Sequence, residues 1–304
     1  MKSVDDDVKL RIVDVLKRVF PEFLTTMQTV IVQKLDDGIS NDNYLVEYKD
    51  GVGGGGAYVL RLPGAGSAGM VNRMTERHNM IAASRLGITP EVVYFNPETS
   101  VKVMPYVDGA ETLHNDTVQE HSNIDQMTRI MRTLHRSHLR FRGNFNPFEE
   151  IYRYERLLSK ANGMMYEGYE GIRERLFALE DELDKMGVET VSCHCDTLPE
   201  NWIKDRGGQL WLLDWEYSGM NEIYWDLAAP LIEAGFTENN ENYLIDSYFD
   251  GSVPAVAARK ILIYKILMDG IWSIWARVKE MAGIDYHAYG VMRLERCVKN
   301  LGKL

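Results

Sequence analysis

One segment near the middle of the chain constrains the fold more than any other. It reads Cys-His-Cys-Asp over residues 193–196, reaches Asn201 five residues after Asp196, and reaches Asp214 thirteen residues further on. Apolar runs on either side of a Gly-Gly pair within 202–213 predict a β-hairpin between Asn201 and Asp214. Because a hairpin returns the chain close to its starting point, we expect two carboxylates and an amide to lie near one another.

These residue types suit phosphoryl transfer. A hydroxyl that attacks the γ-phosphate of ATP needs an acceptor for its proton, and Asp196 offers a carboxylate. Mg²⁺ prefers hard oxygen ligands, and Asn201 and Asp214 supply two when phosphate oxygens complete the shell. Protein-kinase-like enzymes have the same order of residues. Asp and Asn also flank ordinary turns, but chance explains the single residues better than the whole pattern.

Composition limits the partners of the chain. A net charge of −11 argues against nucleic acid or an anionic membrane as the main partner, and leaves room for a cationic substrate. The start of the chain is acidic, so we expect no signal peptide, and no apolar run is long enough to span a membrane. Three cysteines without framework spacing suit a reducing cytoplasm, and Cys193 and Cys195 are interpreted as packing residues. The oligomeric state is left open.

The hydrophobic pattern predicts an α+β chain with two lobes, and the residue order of the segment 193–214 resembles that of the protein-kinase-like fold. Residues 1–107 form the small N-terminal lobe with an antiparallel sheet, and 108–304 form the larger, mainly helical C-terminal lobe. Alternation predicts strands at 30–35, 44–48, 57–62, 92–95 and 100–104. Helical periodicity appears at 8–20, 72–86, 123–138, 151–165, 172–186, 226–234, 240–249, 254–282 and 289–301.

The N-terminal lobe carries the candidate nucleotide site. Its first hairpin loop contains Ser40 and Asn41, where a kinase-like lobe covers the phosphates. On the third strand, Arg61 takes the place of the phosphate-binding Lys of protein kinases, with Glu76 on the following helix as its partner. Pro105, Tyr106 and Val107 interrupt the pattern after the fifth strand and form the expected hinge, where adenine would meet backbone donors and acceptors.

Several motifs together resemble the choline/ethanolamine kinase family, and most closely the bacterial choline kinases of the lic type. Besides the segment 193–214 they are Arg-Leu-Pro-Gly at 61–64, Asn-Arg at 72–73, the run 214–221, Trp-Asp-Leu-Ala at 225–228, and the run 263–273. The resemblance covers most of the chain. It implies ATP, magnesium and transfer of the γ-phosphoryl group to the hydroxyl of choline. It also implies Asp196 as catalytic base, His194 as a brace of the catalytic loop, and Asn201 and Asp214 as metal ligands.

The resemblance also implies a substrate site with aromatic walls. A quaternary ammonium donates no ordinary hydrogen bonds, so aromatic faces and a nearby carboxylate are expected to hold it. The candidates, with Asp196 itself, are Tyr217, Glu233, Trp272, Tyr286 and Tyr289. Trp275 is interpreted as core. Asp269 stands where eukaryotic relatives place a further Trp, and is expected either to hold the ammonium by charge or to face solvent.

Three rival functions remain open at this point. Ethanolamine kinase and an aminoglycoside or other small-molecule phosphotransferase share the expected fold, although a polycation would call for several dispersed carboxylates. The third is a nucleotide-binding regulator without catalysis, which would have no need for a base and both metal ligands. Nucleotide preference, the number of metal ions, and the use of phosphocholine for surface glycans or lipids are not indicated by the sequence.

Overall fold

The computed structural model describes residues 4–20, 27–35, 41–50, 55–63 and 71–304. The chain divides into two compact units, the first comprising Met1–Glu111 with Ile203–Glu216, and the second Thr112–Trp202 with Tyr217–Leu304. The sequence predicts a single division after residue 107. The hairpin at 203–216 instead belongs to the first unit, because its backbone is tied there: Leu212 N–H donates to Ile88 O and Arg206 N–H to Asp108 O, both at 2.9 Å.

The first unit is built on a five-stranded antiparallel sheet in the order β1-β2-β3-β5-β4. Its strands are β1 (Met27–Lys34), β2 (Asn41–Asp50), β3 (Gly55–Pro63), β4 (Tyr94–Asn96) and β5 (Val101–Pro105). All five strands agree with the sequence prediction, with ends that differ by up to three residues. A helix, α2 (Arg73–Ser84), connects β3 to β4 and begins at Asn72, whose side chain accepts the Thr75 N–H.

Helix α1 (Asp6–Val19) covers one face of this sheet. Ile12 and Leu16, one helical turn apart, lie in a buried cluster with Leu60 and Leu62 of β3. Since successive strand residues point to opposite faces, Arg61 points away from this core. The alternating side chains of β3 therefore form a hydrophobic face on one side of the sheet and place Arg61 on the other.

The second unit contains seven helices among its described residues. They are α3 (His121–His135), α4 (Pro147–Lys160), α5 (Tyr169–Met186), α6 (Ile223–Glu233), α7 (Glu238–Tyr248), α8 (Ala257–Met281) and α9 (His287–Leu301). The 25-residue α8 is buried on nearly all sides, and α4, α5, α6 and α9 pack against it. Gly270 permits the close approach of α5, because a Cβ there would lie 2.7 Å from Leu176.

Short strands lie before, within and after the segment 193–214. In the second unit, β7 (Val191–Cys193) pairs antiparallel with β10 (Gly219–Asn221). The hairpin strands β8 (Trp202–Lys204) and β9 (Leu210–Leu212) join the two-residue β6 (Glu111–Thr112) in a sheet of order β6-β8-β9. The β8–β9 pair was predicted from the Gly-Gly turn between its strands, whereas β6, β7 and β10, which are two or three residues long and adjoin no such turn, were not predicted. None of the helices described is long and apolar enough to cross a membrane.

Candidate active site

A buried ionic cluster lies on the reverse face of the sheet in the first unit. Arg61 Nη2 lies 2.8 Å from Glu76 Oε1, so the contact expected from the sequence is present. Arg73 Nη1 lies 2.6 Å from Glu76 Oε2, and Lys102 Nζ lies 3.3 Å from Oε1. Burial raises the pKa of Glu76, but Lys102, Arg61 and Arg73 outweigh it and bring the pKa down to about 2. The Glu76 carboxylate is therefore ionised at neutral pH and pairs with three cationic side chains.

Sequence reasoning assigned no role to Lys102 or Glu216, which complete this cluster. Lys102 lies opposite Arg61 in the β3–β5 register, so alternation along β5 would have placed both on one face. Arg73 Nη1 also lies 2.9 Å from Glu216 Oε2. Burial raises the pKa of Glu216 to about 7, with a further contribution from Asp214. The cluster thus ties α2 to the turn that follows β9.

Asp214 occupies an unusual position at the end of that hairpin. Its φ is 59°, a left-handed conformation that costs a non-glycine residue on the order of 1 kcal/mol or more and is typical of functional sites. Its Oδ1 is buried without a hydrogen-bond partner and lies 3.6 Å from Arg61 Nη1. All three guanidinium nitrogens of Arg61 are also buried without a hydrogen bond. Arg61 is thus paired with Glu76 by charge without a hydrogen bond; a carboxylate oxygen and a guanidinium in this state suit a magnesium ion and phosphate oxygens respectively.

The expected hinge follows β5 in the same unit. The Tyr106 N–H donates to Ala57 O at 2.9 Å, and Pro105 lies opposite Tyr58 in the β3–β5 register. The Tyr106 N–H is therefore used within the sheet, and the expected contact of residues 105–107 with adenine stays a prediction. Ser40 lies outside the described residues, and only the backbone of Asn41, as the first residue of β2, is described.

The second unit carries the loop of His194, Asp196 and Asn201. His194 is fully buried, and its Nδ1 accepts the Asp196 N–H at 3.2 Å, the geometry expected of a brace. Asn201 Nδ2 donates to the Asp196 carbonyl oxygen at 2.7 Å and to Asp196 Oδ2 at 3.0 Å. Both contacts use the amide nitrogen of Asn201. They leave the amide oxygen of Asn201, the kind of atom that Mg²⁺ prefers, to bind a metal ion.

Asp226, near the start of α6, fixes the backbone of this loop. Its Oδ2 accepts the His194 N–H and its Oδ1 accepts the Cys195 N–H, both at 2.8 Å. His135 Nε2 lies 3.0 Å from Oδ2 and Tyr248 OH lies 2.7 Å from His135 Nδ1. His135 and Asp226 with Cys193 have the proximity of a metal site, but these hydrogen bonds already occupy the carboxylate. His135 therefore packs under the loop, and Asp226 is a structural acceptor.

The predicted aromatic residues form one continuous chain of edge contacts. Tyr217 lies 5.7 Å from Trp272 between ring centroids, and Trp272 lies 6.3 Å from Trp275. Trp275 in turn lies 4.9 Å from Tyr286 and 6.2 Å from Tyr289. Trp275 is largely buried, as expected of a core residue, and its ring joins the two halves of the wall. Burial raises the pKa of Tyr289, and Glu233 and Asp196 raise it further against the opposing effect of Arg293.

The two predicted carboxylates of the substrate site have arginine partners. Asp269 is fully buried: its Oδ1 accepts from Arg293 Nη1 at 3.0 Å and Arg296 Nη2 at 2.8 Å, and its Oδ2 from Arg296 Nε at 2.9 Å. Asp269 does not face solvent, so that expectation was wrong, and its charge is already paired with two arginines. Glu233 accepts a hydrogen bond from Arg293 Nη2. Sequence reasoning missed Arg293, which on α9 follows Tyr289 by one helical turn.

Comparison with known proteins agrees with this geometry. The sequence model of the choline/ethanolamine kinase family matches residues 32–249. Protein LicA of Haemophilus influenzae is 27% identical over 274 residues, which are 88% of this chain and 100% of that protein. The crystal structure of choline kinase LicA from Streptococcus pneumoniae superposes with a TM-score of 0.84 at 35% identity, covering 98% of this chain and 100% of the other. A structure of LicA in complex with AMP gives 0.80 at 36% identity, covering 95% and 98%.

The fold and its site therefore define a phosphotransferase that has an alcohol group as acceptor, built on the protein-kinase-like fold. The chain belongs to the choline/ethanolamine kinase family. The predicted fold class and the predicted family resemblance are both confirmed, and the family assignment speaks against the rival interpretation as a regulator without catalysis.

Proposed function

We propose that this protein transfers the γ-phosphoryl group of ATP to the hydroxyl of choline and releases phosphocholine. The observation that carries the proposal is the aromatic chain from Tyr217 to Tyr289, which lies in the same compact unit as Asp196. The negative charge of Asp196 contributes to the raised pKa of Tyr289, so the proposed base lies within electrostatic range of this wall. A small cation held at the wall would have its hydroxyl within reach of that carboxylate.

The composition of the wall favours a methylated cation. A quaternary ammonium presents only C–H groups, so it gains from aromatic faces, each contributing on the order of 1 kcal/mol. Trp272 and Trp275 are about 8–9% exposed, so the wall is largely shielded from water. A polycation such as an aminoglycoside needs several free carboxylates instead, and both predicted carboxylates here are bonded to arginine.

In this proposal Asp196 accepts the proton of the substrate hydroxyl and aims it at the phosphate. His194 holds the backbone of Asp196 through the hydrogen bond to its N–H. Asn201 fixes the carboxylate from the other side with its amide nitrogen. Two neighbours thus hold the base at a fixed orientation, which is the main contribution a protein makes to this class of reaction.

Asn201 and Asp214 would hold Mg²⁺, through an amide oxygen and a carboxylate oxygen. When bound, the ion neutralises the charge of the phosphate oxygens and orients them for transfer. The buried Oδ1 of Asp214, without a hydrogen-bond partner, is the observation that supports this role. The left-handed backbone at Asp214 gives the carboxylate a direction that a strand residue would not have.

The nucleotide is assigned to the first unit. Arg61 would meet the phosphates, held there by Glu76. The Pro105 carbonyl and the Val107 amide would meet the adenine edge, while Tyr106 positions the hinge through its hydrogen bond to Ala57. Ser40 and Asn41 remain candidates for the loop over the phosphates. The cytoplasm is part of the proposal, on the ground that Cys193, Cys195 and Cys297 are buried and unpaired.

A panel of acceptors tests the substrate directly. Steady-state turnover of ATP is measured with choline, ethanolamine and kanamycin at equal concentrations, with ATP alone as the blank. The proposal predicts the highest kcat/KM for choline. A higher value for ethanolamine would assign the protein to the other half of its family, and a higher value for kanamycin would remove the role of the aromatic wall.

A further inference from the structure

We infer that Arg293 sets the preference for a quaternary over a primary ammonium, by occupying the carboxylate that a primary ammonium would need. The inference rests on the proposed function. Arg293 is 1% exposed and lies on α9, one helical turn after Tyr289 of the substrate wall. Its Nη2 donates to Glu233 and, at 2.6 Å, to the Tyr289 hydroxyl, while its Nη1 donates to Asp269 at 3.0 Å.

The charges of the four ionic side chains at this site cancel. Glu233 and Asp269 are two carboxylates, and Arg293 and Arg296 are two guanidinium groups that bind them. Arg296 binds both oxygens of Asp269, so Asp269 is satisfied without Arg293. Glu233 has Arg293 as its ion-pair partner and keeps 17% of its side-chain surface exposed. Arg293 therefore controls how much negative charge Glu233 presents to the substrate.

Primary and quaternary ammonium ions need different partners at such a site. The ammonium of ethanolamine carries three N–H donors, and burying them without acceptors costs free energy. The trimethylammonium of choline has no donor and needs no acceptor. A Glu233 carboxylate already bonded to Arg293 therefore penalises ethanolamine more than choline. The Arg293 guanidinium carbon also lies 4.8 Å from the centroid of the Tyr289 ring and fixes that ring in the wall.

The test replaces Arg293 with Met, which keeps the length of the side chain and removes its charge. In Arg293→Met, Asp269 keeps Arg296, and Glu233 becomes available to the substrate. We expect the ratio of kcat/KM for choline to that for ethanolamine to fall about tenfold or more. The change should appear in the KM of the amino alcohol, with the KM for ATP within about twofold of the unchanged protein.

Two further variants separate this role from a general structural one. Arg293→Lys keeps a cation beside Glu233 and should retain most of the choline preference. Arg296→Met is the matched control, since it removes the other buried arginine contact of Asp269 and leaves the Arg293–Glu233 pair intact. Its substrate ratio should stay within about twofold of the unchanged protein.

An unchanged ratio in a folded Arg293→Met would overturn the inference, as would an equal fall in Arg296→Met. If Arg293→Met does not fold, Glu233→Gln provides the test. Because the Glu233 carboxylate is already bonded to Arg293, its loss should lower kcat/KM for choline and for ethanolamine alike. A loss of kcat/KM for choline alone would contradict the inference. A failure of the proposed function would give a different result from a failure of this inference, because the unchanged protein itself would then phosphorylate choline poorly.

Discussion

Asp226 Oδ1 accepts the backbone N–H of Cys195 at 2.8 Å, at a residue whose φ of 67° lies in the left-handed region. The same carboxylate holds the His194 N–H. A side chain from α6 thereby stabilises a strained turn immediately before Asp196. The conformation of the proposed base depends on a residue that need not touch the substrate.

Asp226→Asn tests this dependence. An Asn offers one oxygen for two backbone donors and turns its amide nitrogen towards the other, so one buried N–H loses its acceptor. We expect a loss of about 1–3 kcal/mol in the free energy of unfolding, measured in urea. The kcat should fall at least about tenfold with a nearly unchanged KM for ATP. Asp246→Asn, at an exposed acid on α7, should change neither quantity.

Glu76→Gln tests the ionic cluster through its pH dependence. The pKa of Glu76 is about 2 in the folded protein against an ordinary value of 4.5, so its ionised form stabilises the fold above pH 4.5. The contribution, about 3 kcal/mol, is lost as the pH falls from 4.5 towards 2. The stability difference between the unchanged protein and Glu76→Gln should therefore be largest near pH 7 and shrink towards pH 3. A difference that stays constant down to pH 3, or one matched by the exposed Glu98→Gln, would contradict this description.

Trp272→Leu tests the aromatic wall. Leu keeps an apolar side chain in α8 but removes the face that attracts a cation. We expect the KM for choline to rise about tenfold, corresponding to the loss of one cation–π contact, while the KM for ATP changes less than about twofold. Trp211→Leu, a tryptophan of the first unit whose indole N–H donates to Asp205, is the matched control. Equal rises in both KM values would make Trp272 a packing residue only.

Asp214→Asn tests the proposed metal ligand. Removal of divalent ions with EDTA should abolish turnover, and added magnesium should restore it. Because an amide is a weaker ligand than a carboxylate, the magnesium concentration for half-maximal activity should rise at least about tenfold in the variant. The same half-saturation in both proteins would place the metal elsewhere.

Local patterns in the sequence were sufficient for much of this structure. Alternation and helical periodicity predicted the five-stranded sheet, and the spacing from Asp196 to Asp214 predicted the hairpin between them. The contact of Arg61 with Glu76 followed from an analogy of position, since β3 and α2 are neighbours in the chain. In each case the residues concerned are close in sequence or related by a simple period.

Contacts between distant segments could not be predicted in this way. Asp269 is 24 residues from Arg293, and the face of α9 that meets it cannot be read from either helix alone. An acid next to an aromatic wall was therefore assigned to the substrate, although a buried carboxylate requires a nearby cation. The hydrogen bond from the Tyr106 N–H to Ala57 O could not be predicted for a similar reason, because it depends on the β3–β5 register.

Product formation by the unchanged protein and by Asp196→Asn tests the central claim most directly. Each protein is incubated with ATP, magnesium and choline, and phosphorus NMR follows ATP, ADP and phosphocholine over time. We predict one phosphocholine for each ADP, formed at least about a hundredfold more slowly by a folded Asp196→Asn. ADP without phosphocholine, or equal rates for the two proteins, would contradict the account.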